Sequence, residues 1–336
     1  MTRLISEQVL KIPATLASYD RQLTKIIGWS LKELAQASVG FDSADTAISN
    51  SSYDSSSHFS TDSQSCRSRD NNPLNAPALK ISAVKETVNP SSITAANPAA
   101  AFTNPADHRV AVIPITTGQG QIKGFSEALC AIAGHLGFPA FITNATDVAG
   151  LAEACQSDAS IVLMADDHCY IAFNLLTRRL AGNDEATAKG YTTALKKMAG
   201  GLAAKEILLI GAGPLGTAAA QSLLREGTSL MIHDLVSEKE DALAESFSPE
   251  ERKQITTGFT LEQALSSTNL IFDASCGEGF IPAALLKPDA CIAAPGLPLG
   301  LDAAAARQYA DRLIHDPLQI GTAVMLFQAL QRGHSS

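Results

Sequence analysis

"KEILLIGAGPLGTAAAQSLLREGTSLMIHDL", residues 205–235, reads as a strand, a glycine turn, a helix and a second strand. The turn has the spacing Gly-x-Gly-x-x-Gly, with glycines at Gly211, Gly213 and Gly216. Gly211 makes the tight turn, Gly213 lets the backbone approach a pyrophosphate, and Gly216 lets the helix pack close to the strand. Pro214 and Leu215 open the helix, whose free N–H groups and positive dipole end suit phosphate. Asp234 follows Gly216 by 18 residues, at the end of the second strand. A carboxylate there hydrogen-bonds the adenosine ribose hydroxyls and repels a 2′-phosphate, so the expected cofactor is NAD rather than NADP. His233 beside it is read as an incidental strand-end residue.

The same alternation continues to the C-terminus. "SPEE" (248–251) and "TLEQ" (260–263) are capping boxes. "NLIFDASCGEGFI" (269–281) is a strand running into a loop that faces the cofactor, which makes Ala274 and Ser275 expected contacts. "RLIHDPLQIGTAVMLFQAL" (312–330) is a short strand and a last helix with Pro317 in its first turn. Asp316, Gln319 and Ile320, with His315, are placed at the nicotinamide end. For His315, Asp316 and Gln319 the alternative is capping or strand-end hydrogen bonding.

Towards the N-terminus, "DEATAKGYTTALKKMAGGL" (184–202) is a helix stopped by Gly200 and Gly201. Before it lie "RVAVIPI" (109–115), "GFSEALCAIAGHLG" (124–137), "PAFITN" (139–144), "DVAGLAEACQS" (147–157, Asp147 as N-cap) and "SIVLMAD" (160–166). This strand–helix–strand–helix–strand series predicts a small parallel sheet. "CYIAFNLLTRRL" (169–180) reads as a further helix. Residues 6–38 read as two helices, with Ser6 capping the first and Ser30-Leu31-Lys32-Glu33 a capping box for the second. The Ser-, Asp-, Asn- and Pro-rich stretch 42–107 cannot bury enough apolar area to offset its ordering entropy, and reads as a disordered or loosely ordered insertion.

The expected fold is α/β. N-terminal helices (1–41), the insertion (42–107) and a small parallel α/β substrate domain (108–183) come first. A linking helix (184–204) and a C-terminal Rossmann, doubly wound NAD-binding domain (205–336) complete the chain. The net charge of −9 argues against nucleic acid and anionic lipid as partners. No apolar run approaches membrane-spanning length, and the N-terminus lacks a signal peptide's apolar core. The six cysteines show neither C-x-x-C pairs nor zinc spacing and read as reduced thiols of a cytoplasmic protein.

The third strand of the first sheet ends on Asp166 and Asp167, followed by His168 and Cys169. Neighbours on a strand point to opposite faces, so these four residues do not suit a single metal ion, and no metal is expected. One aspartate can cap the helix expected to follow. The other then faces the cleft at the strand ends, with Thr116 and Thr117, and attracts a cation. A cationic substrate beside NAD suggests oxidation of an amine.

"IPITTGQG" (113–120), "GFSEAL" (124–129) and "MADD" (164–167) together resemble the pyrrolysine synthase family, dehydrogenases that complete pyrrolysine biosynthesis. The resemblance spans roughly 109–336 and touches the first 38 residues only weakly. It implies a substrate, 3-methylornithyl-N6-lysine, whose terminal amine is oxidised with NAD before the ring closes and ammonia leaves. It makes Asp166 the residue that binds and orients the amine and a candidate to take its proton, directly or through water. Thr117 stands where the family pattern has Ser and would hydrogen-bond substrate or catalytic water. Phe125, Ser126 and Asn174 are weaker candidates for the substrate pocket. For Phe125 and Ser126, core packing and capping are the competing roles. The family's N-terminal helix implies a lid, whose apolar face Leu4, Ile5 and Val9 would supply. A homodimer is expected, as in related dehydrogenases. The alternatives are another two-domain dehydrogenase, of the methylene-tetrahydrofolate, shikimate or ornithine type, and a non-catalytic NAD sensor.

Overall fold

The structure, a computed structural model, describes residues 7–40, 103–118 and 122–331. The expectations placed on Leu4, Ile5 and Ser6 and on most of the 42–107 stretch lie outside these residues. After helical residues at 7–9 come two helices, α1 (Ile12–Ile27) and α2 (Leu31–Gly40). Gly28 ends α1 in the left-handed conformation at φ 75°. The expected capping box starts α2: Ser30 N–H donates to Glu33 Oε2 (2.7 Å) and Glu33 N–H to Ser30 Oγ (3.2 Å).

The first sheet contains β1 (Val110–Ile113), β2 (Ala140–Ile142), β3 (Ile161–Ala165), β4 (Tyr170–Asn174) and β5 (Leu180–Gly182), in the order β2-β1-β3-β4-β5. Helix α3 (Phe125–His135) connects β1 to β2, and α4 (Asp147–Gln156) connects β2 to β3. β2, β1 and β3 are parallel, and all four residues of β1 are buried, as a strand covered on both faces requires.

The helix expected over 169–180 is instead two antiparallel strands. Tyr170 pairs with Ala165 and Asn174 with Ile161, so β4 runs straight back along β3. Two tight turns make this possible without the usual glycines. Asp166 Oδ1 accepts the N–H groups of His168 (2.8 Å) and Cys169 (2.7 Å). Asn174 Oδ1 accepts those of Leu176 and Thr177 (both 3.0 Å), and Arg178 takes φ 60°. Asp147 is not a helix cap either. It is the first residue of α4, at φ 54°, and its carboxylate accepts Thr116 N–H (2.8 Å) and the Thr116 hydroxyl.

Helix α5 (Asn183–Met198) leads to the second sheet, and Gly200 and Gly201 follow it with positive φ. The second sheet has six parallel strands: β6 (Glu206–Ile210), β7 (Ser229–His233), β8 (Ile255–Thr256), β9 (Leu270–Asp273), β10 (Cys291–Ala293) and β11 (Leu313–Ile314). Their order, β11-β10-β9-β6-β7-β8, is doubly wound about β6. The connecting helices are α6 (Pro214–Arg225), α7 (Ser237–Glu245), α8 (Pro249–Arg252), α9 (Leu261–Ser267) and α10 (Ala303–Gln308). Both capping boxes form, at Ser248/Glu251 and Thr260/Gln263.

The last helix, α11 (Gln319–Leu330), is buried at all twelve residues. Pro317 lies just ahead of this helix rather than in its first turn. One apolar core joins residues of α1, α2, α3, α5, α6 and α11 with both sheets, and Val9 belongs to it. No helix among the described residues is long and apolar enough to cross a membrane.

Candidate active site

The glycine turn is shaped from within and open above. A Cβ on Gly211 (φ 96°) would stand 3.0 Å from the Ala274 carbonyl and from Ser275 N. A Cβ on Gly216 would meet the Gly211 carbonyl oxygen at 1.9 Å. Both glycines are therefore demanded by packing between loop, helix and the end of β9. Gly213 differs: nothing lies within 4 Å of the Cβ it lacks. The space above it adjoins the first turn of α6, where Pro214 occupies the first position and Leu215 is half-buried. That open backbone beside a helix N-terminus fits a pyrophosphate. Asp234 Oδ2 accepts Ala212 N–H (2.8 Å) and Oδ1 accepts Val236 N–H (3.0 Å), so the carboxylate is fixed at the rim of the turn.

On the first sheet, the loop after β1 meets the turn between β3 and β4. Gly118 (φ 73°) has room for no side chain, because a Cβ there would be 2.1 Å from Asp167 Oδ2. Thr116 is held by Asp147, leaving Thr117 exposed between Thr116 and Gly118. The two N–H groups on Oδ1 hold the exposed Asp166 carboxyl below the usual carboxylate range, with a smaller pull from His168. The Phe125 ring, at the start of α3, meets Tyr170 edge-on at 5.7 Å between centroids. The Tyr170 hydroxyl lies 2.7 Å from Thr322 Oγ1, in the first turn of α11. Tyr170 pairs with the last residue of β3, and α11 starts shortly after β11. That contact therefore brings the C-terminal edges of the two sheets together, the place where open α/β sheets hold ligands. Leu10 closes one side, since a Cβ on Gly124 would be 2.5 Å from Leu10 Cδ2.

Sequence comparisons identify the family. A family model described as pyrrolysine biosynthesis protein PylD, N-terminal domain, matches residues 71–181. The pyrrolysine synthase of Methanosarcina acetivorans is 30% identical over 233 residues, 68% of this chain and 85% of the relative. That of Methanosarcina barkeri is 30% identical over 231 residues, 66% of this chain and 81% of the relative. The chain belongs to the pyrrolysine synthase family.

A second family model, shikimate / quinate 5-dehydrogenase, matches residues 193–284, so this pyrrolysine synthase relative carries an oxidoreductase-type second half. Among solved structures, the quinate dehydrogenase from Corynebacterium glutamicum in complex with NAD aligns with TM-score 0.46 and 14% identity, over 66% of this chain and 93% of that one. A shikimate dehydrogenase from Aquifex aeolicus aligns with TM-score 0.46 and 14% identity, over 68% and 94%. The PylD model begins at 71 and so reaches into the stretch read above as an insertion.

Not every residue expected at the pyrrolysine synthase site is placed there. Asn174 pairs with Ile161 at the opposite end of the hairpin from Asp166, about 17 Å of strand away at ~3.3 Å per residue. Its Nδ2 donates to the Ala329 carbonyl (2.9 Å), so it is a buried brace and not a pocket residue. Asp316 is also buried. Its Oδ1 accepts the N–H groups of Leu318, Gln319 and Ile320, and its Oδ2 accepts the hydroxyls of Tyr19 and Tyr191. It is the cap of α11, the capping role weighed for it above, and it has no oxygen left facing a cofactor. Gln319 and Ile320 are buried in the same turn, where Ile320 packs against α5 at Gly190. Ser275 donates Oγ–H to Asp273 Oδ1 (2.6 Å) with Ala274 beside the glycine turn, and His315 Nδ1 lies 2.7 Å from the Ala294 carbonyl. Ser126 is half-buried in the first turn of α3.

The sequence reading passed over Tyr19, Tyr170 and Tyr191, which converge on the two ends of α11's first turn. Their signal was scarcity: the chain has only five tyrosines, and a buried tyrosine needs a partner for its hydroxyl.

Proposed function

We propose that this chain is an NAD-dependent dehydrogenase that oxidises the terminal amine of 3-methylornithyl-N6-lysine and lets the product close to pyrrolysine. The observation that carries the reading is Asp166. Its carboxyl, just past the C-terminal end of β3, is lowered in pKa by two backbone N–H groups. A fixed anion there attracts and orients an ammonium group. Asp234 at the rim of the turn favours NAD over its 2′-phosphorylated form.

Bound NAD would supply the hydride acceptor. The substrate must first lose a proton, because the lone pair of a neutral amine stabilises the positive charge left when hydride departs. An alkyl ammonium ordinarily titrates near about 10.4. Asp166, its carboxyl lowered, is a poor base. It would hold the amine while water carries the proton away, and the exposed Thr117 hydroxyl would bond that water or the substrate. The substrate's α-amine then adds to the iminium carbon. The bond from that carbon to the original nitrogen breaks, ammonia leaves, and a ring C=N bond with loss of a proton completes the pyrroline. Leu10, packed against Gly124, would help limit water at the reacting carbon.

Incubating the protein with NAD and 3-methylornithyl-N6-lysine tests this directly. NADH and a product with the mass of pyrrolysine should form together with one equivalent of ammonia. A folded protein that binds NAD and gives no turnover would refute the substrate assignment.

A further inference from the structure

The start of α11 is fastened from three sides. Asp316 caps it with Oδ1, taking the N–H groups of Leu318 (3.0 Å), Gln319 (2.6 Å) and Ile320 (3.2 Å). Close packing clamps it to α5. A Cβ on Gly190 would lie 2.3 Å from Ile320 Cγ2, and one on Gly321 would lie 2.4 Å from Thr187 Oγ1. Tyr191, also on α5, donates to Asp316 Oδ2 (3.0 Å) and accepts Asp316 N–H (2.9 Å). The third fastening comes from α1: Tyr19 donates its hydroxyl to Asp316 Oδ2 at 2.7 Å, 297 residues away in sequence.

Burial and the Asp316 charge push both tyrosines far above the ordinary phenol range, so both hydroxyls keep their protons and act as donors. The carboxylate is thus shared by α1, α5 and α11. Helix α1 also reaches the substrate side. Leu10, one turn ahead of it, lies against Gly124 beside Phe125, and Asp20, next to Tyr19, holds His135 of α3 at 2.7 Å and the Leu31 N–H at 2.6 Å.

We propose that Tyr19 is a positioning residue, coupling the seating of the N-terminal helices over the substrate side to the first turn of α11, at the C-terminal edge of the second sheet. The Tyr19 hydroxyl is the polar link from α1 to that turn. Removing it leaves a buried carboxylate oxygen short of a donor and α1 held there by apolar contact alone. The coupling is reciprocal: a cofactor that steadies the start of α11 steadies α1, and the seated α1 tightens the cofactor. The cofactor arm rests on the NAD reading above, whereas the link between helices does not.

Hydrogen exchange of Tyr19→Phe without ligand decides the link. The expected result is exchange about tenfold faster both in residues 12–27 and in residues 319–322, with the strand 206–210 unchanged. Tyr191→Phe should loosen 319–322 and leave 12–27 as they are, because Tyr191 belongs to α5. Trp29, the single tryptophan, joins α1 to α2 under Lys197 Nζ (4.3 Å from the ring) and gives a second readout. Its emission should shift in Tyr19→Phe and not in Tyr191→Phe. Wild-type exchange at 319–322 in Tyr19→Phe, or uniformly faster exchange including 206–210, would overturn the proposal. Should Tyr19→Phe fail to fold, Asp316→Asn keeps the cap on Oδ1 and removes the acceptor of both tyrosines, and residues 12–27 must then exchange faster, as they do not in Tyr191→Phe, for the link to stand. Calorimetry with NAD alone adds the cofactor arm, with Kd about tenfold weaker in Tyr19→Phe. Absence of NAD binding by the wild type would strike the NAD reading and leave the exchange result to decide the link.

Discussion

Asp166 and Asp273 are both strand-end carboxylates, and their surroundings push them in opposite directions. Asp166 is exposed and held by two N–H groups, which lowers its pKa. Asp166→Asn keeps an oxygen for the turn and loses the charge. kcat/KM for the amine substrate should therefore fall by about 10²-fold or more, with the Kd for NAD unchanged in a direct titration. Because the wild-type carboxyl ionises below the usual range, a rise of kcat/KM with pH near neutrality should come from the substrate amine and survive in Asp166→Asn. Asp273 is fully buried, and burial raises its pKa despite the two bonds from Ser275. Its Oδ2 has no hydrogen-bond partner of good geometry, although the Gly300 backbone lies against it. A raised folded-state pKa means that this carboxyl's contribution to stability is complete below the unfolded pKa and is lost as pH rises through the folded value. The Tm of wild type relative to Asp273→Asn should thus fall as pH rises from the ordinary carboxylate range, measured in paired calorimetric scans.

At the scale of elements, the hairpin β3-β4 decides where the substrate side lies. A helix over 169–180 would have left Asn174 free to approach the cleft. The strand carries it to the far end, where it closes the second turn and bonds α11. Asn174→Ala should cost about 1–3 kcal/mol in denaturant unfolding, since it leaves the buried Ala329 carbonyl without its donor and loosens the turn. KM and kcat below the unfolding range should stay within about threefold of wild type, and a selective rise in KM would restore Asn174 to the pocket. The capping boxes, the glycine turn and the parallel strands could all be read in advance, because each depends on residues within a few positions of one another. The hairpin could not. "YIAFN" has apolar residues compatible with either period, and its turns rest on Asp166, Asn174 and Arg178 instead of glycine.

The whole molecule is organised around α11. That helix is buried on every side, and α2, α3, α5 and the first sheet enclose it. Gly190 is the point of least clearance between α5 and α11. Gly190→Ala should destabilise the fold by about 1–3 kcal/mol through overpacking against Ile320, measured as a drop in the denaturant midpoint. By itself, the sequence determined the family, the α/β class, the dinucleotide turn and the carboxylate at the third strand's end. Those rest on local geometry: hydrophobic period, glycine backbone freedom and side chains that cap their own neighbours. Only the tertiary structure decided which carboxylates have oxygens to spare. Asp166 keeps one, while Asp316 is spent on a helix cap and two tyrosines from distant parts of the chain. A carboxylate's role follows from the donors that reach it, and donors such as Tyr19 arrive through packing that no stretch of sequence encodes alone.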